Sequence, residues 1–219
     1  MSVLQSRTTT NALATNKVLR STYQLLSLTL LFSGLMAFVS MYLQLPHFGW
    51  FTLIGYFALL FLTAKLKNSA WGLLSVFALT GFMGLTLGPV INAYLTHFTN
   101  GAELVMLAMT GTGVIFLTLS FYARVSQKDF SFLNGFLTAG ILMAFIAAIA
   151  NIFLAIPVLS LVISSAFIIL MCGLILFETS NIIHGGETNY IMATITLYVS
   201  IYNLFLSLLH LLGVFGGEE

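Results

Sequence analysis

The chain has 219 residues, of which 59% are hydrophobic and 6% charged, whereas a soluble domain carries roughly 25% charged residues. That balance excludes a soluble fold, and a formal net charge of +1 gives no ground for a nucleic-acid partner. The apolar stretches are continuous rather than alternating, which excludes a membrane barrel and leaves an all-α, polytopic membrane bundle.

Residues 1–16 are polar, rich in Thr and Asn, and are expected to form a flexible cytoplasmic tail. A membrane domain is expected over 17–215. Seven transmembrane helices are predicted within it, over about 21–43, 48–64, 71–95, 102–123, 131–155, 158–178 and 190–213. The first is long enough to span and reads as an uncleaved anchor. The second is the shortest. On the third, Gly81, Gly84, Gly88 and Asn92 share a face, and Gly88-Pro89 is expected to kink the helix near its outer end. The fifth follows Gln127-Lys128-Asp129-Phe130-Ser131, where Asp129 suits a helix cap. It carries Gly140, Ala144, Ala147 and Asn151 on one face. Small residues let helix backbones approach, so both faces read as packing surfaces. Ala155-Ile156-Pro157 makes a sharp turn into the sixth helix.

The basic residues set an expected orientation. Arg7, Lys17 and Arg20 precede the first helix, Lys65 and Lys67 follow the second, and Arg124 and Lys128 follow the fourth. All fall on one side. Basic segments stay cytoplasmic, so the N-terminus is expected inside and, after seven crossings, the C-terminus outside.

Glu178 carries the sharpest functional signal. It ends an uncharged run, Val158 to Phe177, and an acid at such a place marks a functional site by default. Taking a carboxyl out of water with no cation beside it favours its protonated form, so Glu178 is a candidate pH sensor. The tract Phe177 to Ile191 adds Asn181, His184, a Gly-Gly turn, Glu187 and Asn189. The seventh helix aligns Asn189, Thr196, Ser200, Asn203, Ser207 and His210 on one face. Such a stripe serves either interhelical hydrogen bonding or the lining of an ion or proton path. His47, His97, His184 and His210 are scattered, which gives no ground for a metal site. The lone Cys172 reads as packing. No phosphate-binding loop or paired nucleophile is present, so neither a cofactor nor an enzymatic activity is expected.

Several motifs carry a family resemblance. Phe177-Glu178-Thr179, the polar turn after it, Leu197-Tyr198 and Asn203-Leu204-Phe205 resemble the Bax inhibitor-1 family of transmembrane Bax-inhibitor-motif proteins. Lys128-Asp129-Phe130-Ser131-Phe132 and Gly88-Pro89 are similar too. The resemblance covers about 17–215 and agrees with seven helices. The tract Phe177 to Ile191, with the opening Lys17-Val18-Leu19-Arg20-Ser21-Thr22-Tyr23, resembles the bacterial YccA-type branch. That resemblance implies a multi-pass inner-membrane protein. Its implied partner is a membrane-bound AAA protease of the FtsH type, with the protease's regulators. Its implied role is to bind and modulate that protease in membrane-protein quality control. The family also implies a pH-sensitive leak for calcium or other cations, gated by two acids that share a proton. The first acid falls on Glu178. The second falls on Ser200, so the acid pair is broken here, and the second helix offers no base before Lys65. Ser200, Tyr198, Asn203 and His184 are then the candidates to satisfy Glu178. Together the five residues form the candidate pH-sensing and ion-path set.

Overall fold

A computed structural model describes residues 2–218, and side chains from Thr15 to Glu218. Seven helices follow one another: α1 (Ser2–Tyr42), α2 (Trp50–Leu66), α3 (Trp71–His97), α4 (Gly101–Ser126), α5 (Leu133–Leu154), α6 (Pro157–Ile183) and α7 (Tyr190–Gly216). Six are long and apolar enough to cross a membrane: α3 to α7, and α1 over Thr15–Tyr42. The seventh, α2, has 17 residues. At about 1.5 Å per residue it falls slightly short of a hydrocarbon core about 30 Å thick.

Two boundaries differ from expectation, each for a local reason. The segment expected as a flexible tail is helical from Ser2, and α1 is one continuous helix to Tyr42. No Gly or Pro lies between Ser2 and Asn16 to stop it. Helix α6 runs on to Ile183, past the expected end at 178. The first strong breaker is Gly185, whose φ of +76° suits a residue without Cβ. Glu178 therefore sits inside the last turns of α6 rather than at its edge.

The chain forms two compact units, Met1–Ala93 with Gly185–Tyr198, and Tyr94–His184 with Val199–Glu219.

In unit one, α1 and α3 meet along the predicted glycine face. A Cβ on Gly81 would strike the ring of Phe32, one on Gly84 the backbone carbonyl of Ser33, and one on Gly88 the side chain of Ser40. Phe32 in turn meets Phe77 edge-on at 5.5 Å. This close approach solves a problem set by Pro89. Proline has no N–H, so it frees the carbonyl four residues earlier. That carbonyl belongs to Leu85, and the buried Ser40 hydroxyl donates to it at 2.7 Å. Helix α3 continues through Pro89 to His97. Helix α7 joins the seam through Tyr198, which is 1% exposed. Its hydroxyl shares a hydrogen bond with Ser33 Oγ at 2.5 Å and donates to the Thr80 carbonyl at 3.3 Å. The hydroxyl of Thr194 reaches the Thr22 carbonyl at 3.3 Å.

In unit two, α6 packs against both α4 and α5. A Cβ on Gly140 of α5 would strike Leu170 of α6, and one on Gly173 of α6 would strike Leu137 of α5. With Ala144 buried beside them, the α5 small-residue face is a packing surface. The turn between these helices forms as predicted. Ala155 takes a left-handed conformation, φ 49°, its N–H returns to the Asn151 carbonyl at 2.8 Å, and Pro157 opens α6. Residues after α7 are held by the turn before α4. Asn100 donates to the Gly216 carbonyl at 2.7 Å and accepts from the Glu218 N–H at 3.1 Å, while the Thr99 N–H donates to the Glu218 carbonyl at 2.8 Å.

Candidate functional site

The final turns of α6 are buried on one side through Ile175, Glu178, Thr179, Ser180 and Ile182. Glu178 is 5% exposed, a burial that an acid rarely reaches unless it is engaged by its surroundings. Ser200, where the resemblance would place the family's second acid, is also fully buried in unit two.

The other candidates have their own tasks. The amide of Asn203 donates to the Val199 carbonyl one turn back, at 2.8 Å. His184 closes α6: its Nδ1 lies 2.8 Å from the Ser180 carbonyl. A carbonyl can only accept, so Nδ1 carries the proton and Nε2 is left as the basic nitrogen. Tyr198 belongs to unit one, where its hydroxyl engages Ser33 and Thr80 as above.

The predicted stripe on α7 divides among separate jobs. Asn189 is the N-cap, accepting from the Ile191 and Met192 N–H groups at 3.0 and 3.1 Å. Its amide nitrogen donates to the Lys67 carbonyl at 3.2 Å and to Asn68 Oδ1 at 2.9 Å, which fastens the α2–α3 turn to the start of α7. Glu187 accepts the Asn189 N–H at 2.6 Å. Farther along, His210 Nδ1 and Ser164 Oγ of α6 share a hydrogen bond of 2.8 Å. Of these stripe residues, His210 thus bonds across to a neighbouring helix, whereas Asn203 bonds within its own.

Sequence reasoning missed Ser180. Its buried hydroxyl donates to the Lys128 carbonyl at 2.9 Å and accepts from the Phe130 N–H at 3.2 Å, so α6 holds the α4–α5 loop two residues after Glu178. A small polar residue beside an intramembrane acid was the available signal. The role expected of Asp129 needs correction. It accepts the Ser131 N–H at 2.8 Å, while α5 begins only at Leu133, after Phe132, which makes no side-chain cap. Asp129 thus shapes the turn before the helix, because Ser131 and Phe132 are spent on that turn. The Ser131 N–H, then the Ser131 side chain, hold its carboxyl below the usual carboxylate range; nearby His184 adds a smaller pull, and partial desolvation opposes them. No group of three or more His, Cys, Asp or Glu suited to a metal ion occurs among the described residues.

The family model described as inhibitor of apoptosis-promoting Bax1 matches residues 15–217. The chain belongs to this family. The family expected from the motifs around Glu178 and Tyr198 is therefore the one found. Among relatives of this Bax1-inhibitor family member, an uncharacterized protein of Pseudomonas aeruginosa is 54% identical over 92% of this chain and 91% of its own length. The modulator of FtsH protease YccA of Escherichia coli K12 is 51% identical over 96% of both chains. An uncharacterized membrane protein of Vibrio cholerae is 43% identical over 94% of this chain and 93% of its own. Another E. coli relative is called an inner membrane protein. With six helices fit to cross a bilayer, this family member is a multi-pass protein of the bacterial inner membrane.

Proposed function

We propose that this chain binds a membrane-bound AAA protease of the FtsH type and modulates what that protease degrades. The observation that carries the reading is the 51% identity, over 96% of both chains, to a modulator of that protease. Gentle purification from native membranes tests the reading. The protease should co-purify, and deleting the gene should change the half-life of a membrane substrate of the protease. If nothing co-purifies, and neither deletion nor overproduction moves that half-life, the proposal is wrong.

A second reading is a proton-responsive cation leak, supported by the deep burial of Glu178 in a membrane helix. Liposomes holding only this protein would then release loaded calcium in a pH-dependent way. Glu178→Gln, which carries no titratable group, would flatten that dependence. Release no faster than from empty vesicles at every pH removes this reading.

A further inference from the structure

We propose that the loop joining α4 to α5, in unit two, is a binding site for the phosphate of a membrane phospholipid, with Lys128 and Tyr122 as donors and Phe130 and Phe132 as an apolar floor. The turn itself brings the two donors together. Gln127 takes a left-handed conformation, φ 51°, and its side-chain amide donates to the Arg124 carbonyl at 2.6 Å. The chain folds back there, and Lys128 Nζ comes to 3.5 Å from the Tyr122 hydroxyl, six positions earlier. The rings continue from that point. Tyr122 lies 6.2 Å from Phe130, and Phe130 lies 6.3 Å from Phe132, centre to centre. Ser180 of α6 fixes the loop backbone, donating to the Lys128 carbonyl at 2.9 Å and accepting from the Phe130 N–H at 3.2 Å. Both donors are thus presented on a fixed frame rather than on a free loop, which lowers the cost of binding.

The donors have protons to offer. The ammonium points one at the phenol oxygen, which leaves the phenol proton and the other ammonium protons for an outside acceptor. Two donors 3.5 Å apart can each stand about 2.8 Å from one anionic oxygen. Among the described residues no acid forms an ion pair with Lys128. Asp129, its neighbour in sequence, accepts the Ser131 N–H instead, at 2.8 Å. A phosphate would bring the missing negative charge. The rings indicate its source. Lys128 is exposed, Tyr122 is 45% exposed and Phe132 75%, and a soluble anion would leave those rings with nothing to cover them. The loop joins two helices long and apolar enough to cross a membrane, so it lies at the depth where lipid phosphates meet the tops of acyl chains. Aromatic rings and the long stems of Lys suit that boundary. A phospholipid supplies both halves, a phosphate for the donors and acyl carbon for the rings.

The test uses the purified full-length chain in an uncharged, phosphate-free detergent. As lipid is titrated, native mass spectra should show phosphatidylethanolamine retained, and diacylglycerol, with the same tails and no phosphate, retained far less. Lys128→Gln and Tyr122→Phe should each weaken the retention of phosphatidylethanolamine by about five- to tenfold, with melting in lipid-free detergent unchanged. Lys65→Gln, which removes the same charge from unit one, should leave it as it was. A second readout keeps both donors in place. In a chain carrying Trp50→Phe and Trp71→Phe, Phe132→Trp should be quenched more by phospholipid brominated near the top of its acyl chains than by phospholipid brominated near their ends. Equal retention of diacylglycerol would overturn the proposal. So would retention of phosphatidylethanolamine that survives the double change Lys128→Gln, Tyr122→Phe, or stronger quenching by the deep bromines. Inorganic phosphate that displaces the lipid at equal concentration would point to a soluble anion, and polyglutamate that does so would point to an acidic protein; either result overturns it.

Discussion

Replacing Ser40 with Ala removes the donor that serves the carbonyl opposite Pro89. Ser40 is 0% exposed, and its hydroxyl lies 2.7 Å from the Leu85 oxygen. A buried acceptor that loses its partner costs about 1–3 kcal/mol in soluble proteins. Interhelical hydrogen bonds measured inside membranes average nearer 0.6 and reach about 1.7 kcal/mol. An expected loss of about 1 kcal/mol, or roughly fivefold in the unfolding equilibrium, lies between these ranges. The background matters more than the value. In Pro89→Ala the residue at 89 regains an N–H that can serve Leu85, so removing the Ser40 hydroxyl there should cost about half as much or less. Both tryptophans, Trp50 and Trp71, lie in unit one. Their fluorescence during denaturant titration in mixed micelles can therefore follow all four members of the cycle. If Ser40→Ala costs the same in both backgrounds, within about 0.3 kcal/mol, the hydroxyl is not standing in for the missing N–H.

Gly84→Ala should be worse than Ser40→Ala, by about 1–3 kcal/mol or more, because its new Cβ meets the Ser33 backbone rather than a movable side chain; the same titration reads it. The depressed Asp129 carboxyl gives a sign for pH. Its contribution is fully present above the ordinary value of about 3.9 and is lost as pH falls through the lower folded value. The α4–α5 loop should therefore be unaffected between about pH 7 and 5 and loosen only in stronger acid, with Asp129→Asn abolishing that acid limb in an NMR titration of the Ser131 amide. Deleting residues 2–16 should lengthen the protein's lifetime in cells with an active FtsH-type protease, if the polar N-terminal segment is the handle by which it is pulled. Pulse-chase measurement would show an unchanged half-life if that idea is wrong. A reporter that works only outside the cytoplasm, fused after Glu219, should be active; its silence beside an active cytoplasmic reporter would overturn the expected orientation.

Much of the helix order was legible because a bilayer demands long apolar runs, and the glycine faces were legible because close approach needs small residues. Helix ends were less so. Glu, Thr, Ser and Asn end an apolar run without ending a helix, so α6 ran on until Gly185. Asn189 carried the spacing of a stripe and the chemistry of a cap; periodicity alone favoured the stripe, and the free amides at the start of α7 decided for the cap. Thr22, Thr29, Ser33 and Ser40 repeat on α1 at the same kind of spacing and are all buried. Their importance was hidden because a hydroxyl in a membrane helix can satisfy itself on its own backbone, as Thr29 does with Leu26 at 2.9 Å. Only the position of Pro89 on the neighbouring helix gives Ser40 its separate task.

The bond between Ser33 and Tyr198 also has a timetable. It joins residues 165 positions apart, and at about 5–20 residues per second a ribosome needs roughly ten to thirty seconds to make the intervening chain. Ser40 and Leu85, only 45 positions apart, can meet well before that. During synthesis the first and third helices can therefore associate while Ser33 and the Thr80 carbonyl still wait for their tyrosine. A chain stalled before the last helix lacks the Tyr198 hydroxyl at this seam, and the finished chain supplies it. The seventh helix thus completes this seam only at the end of synthesis.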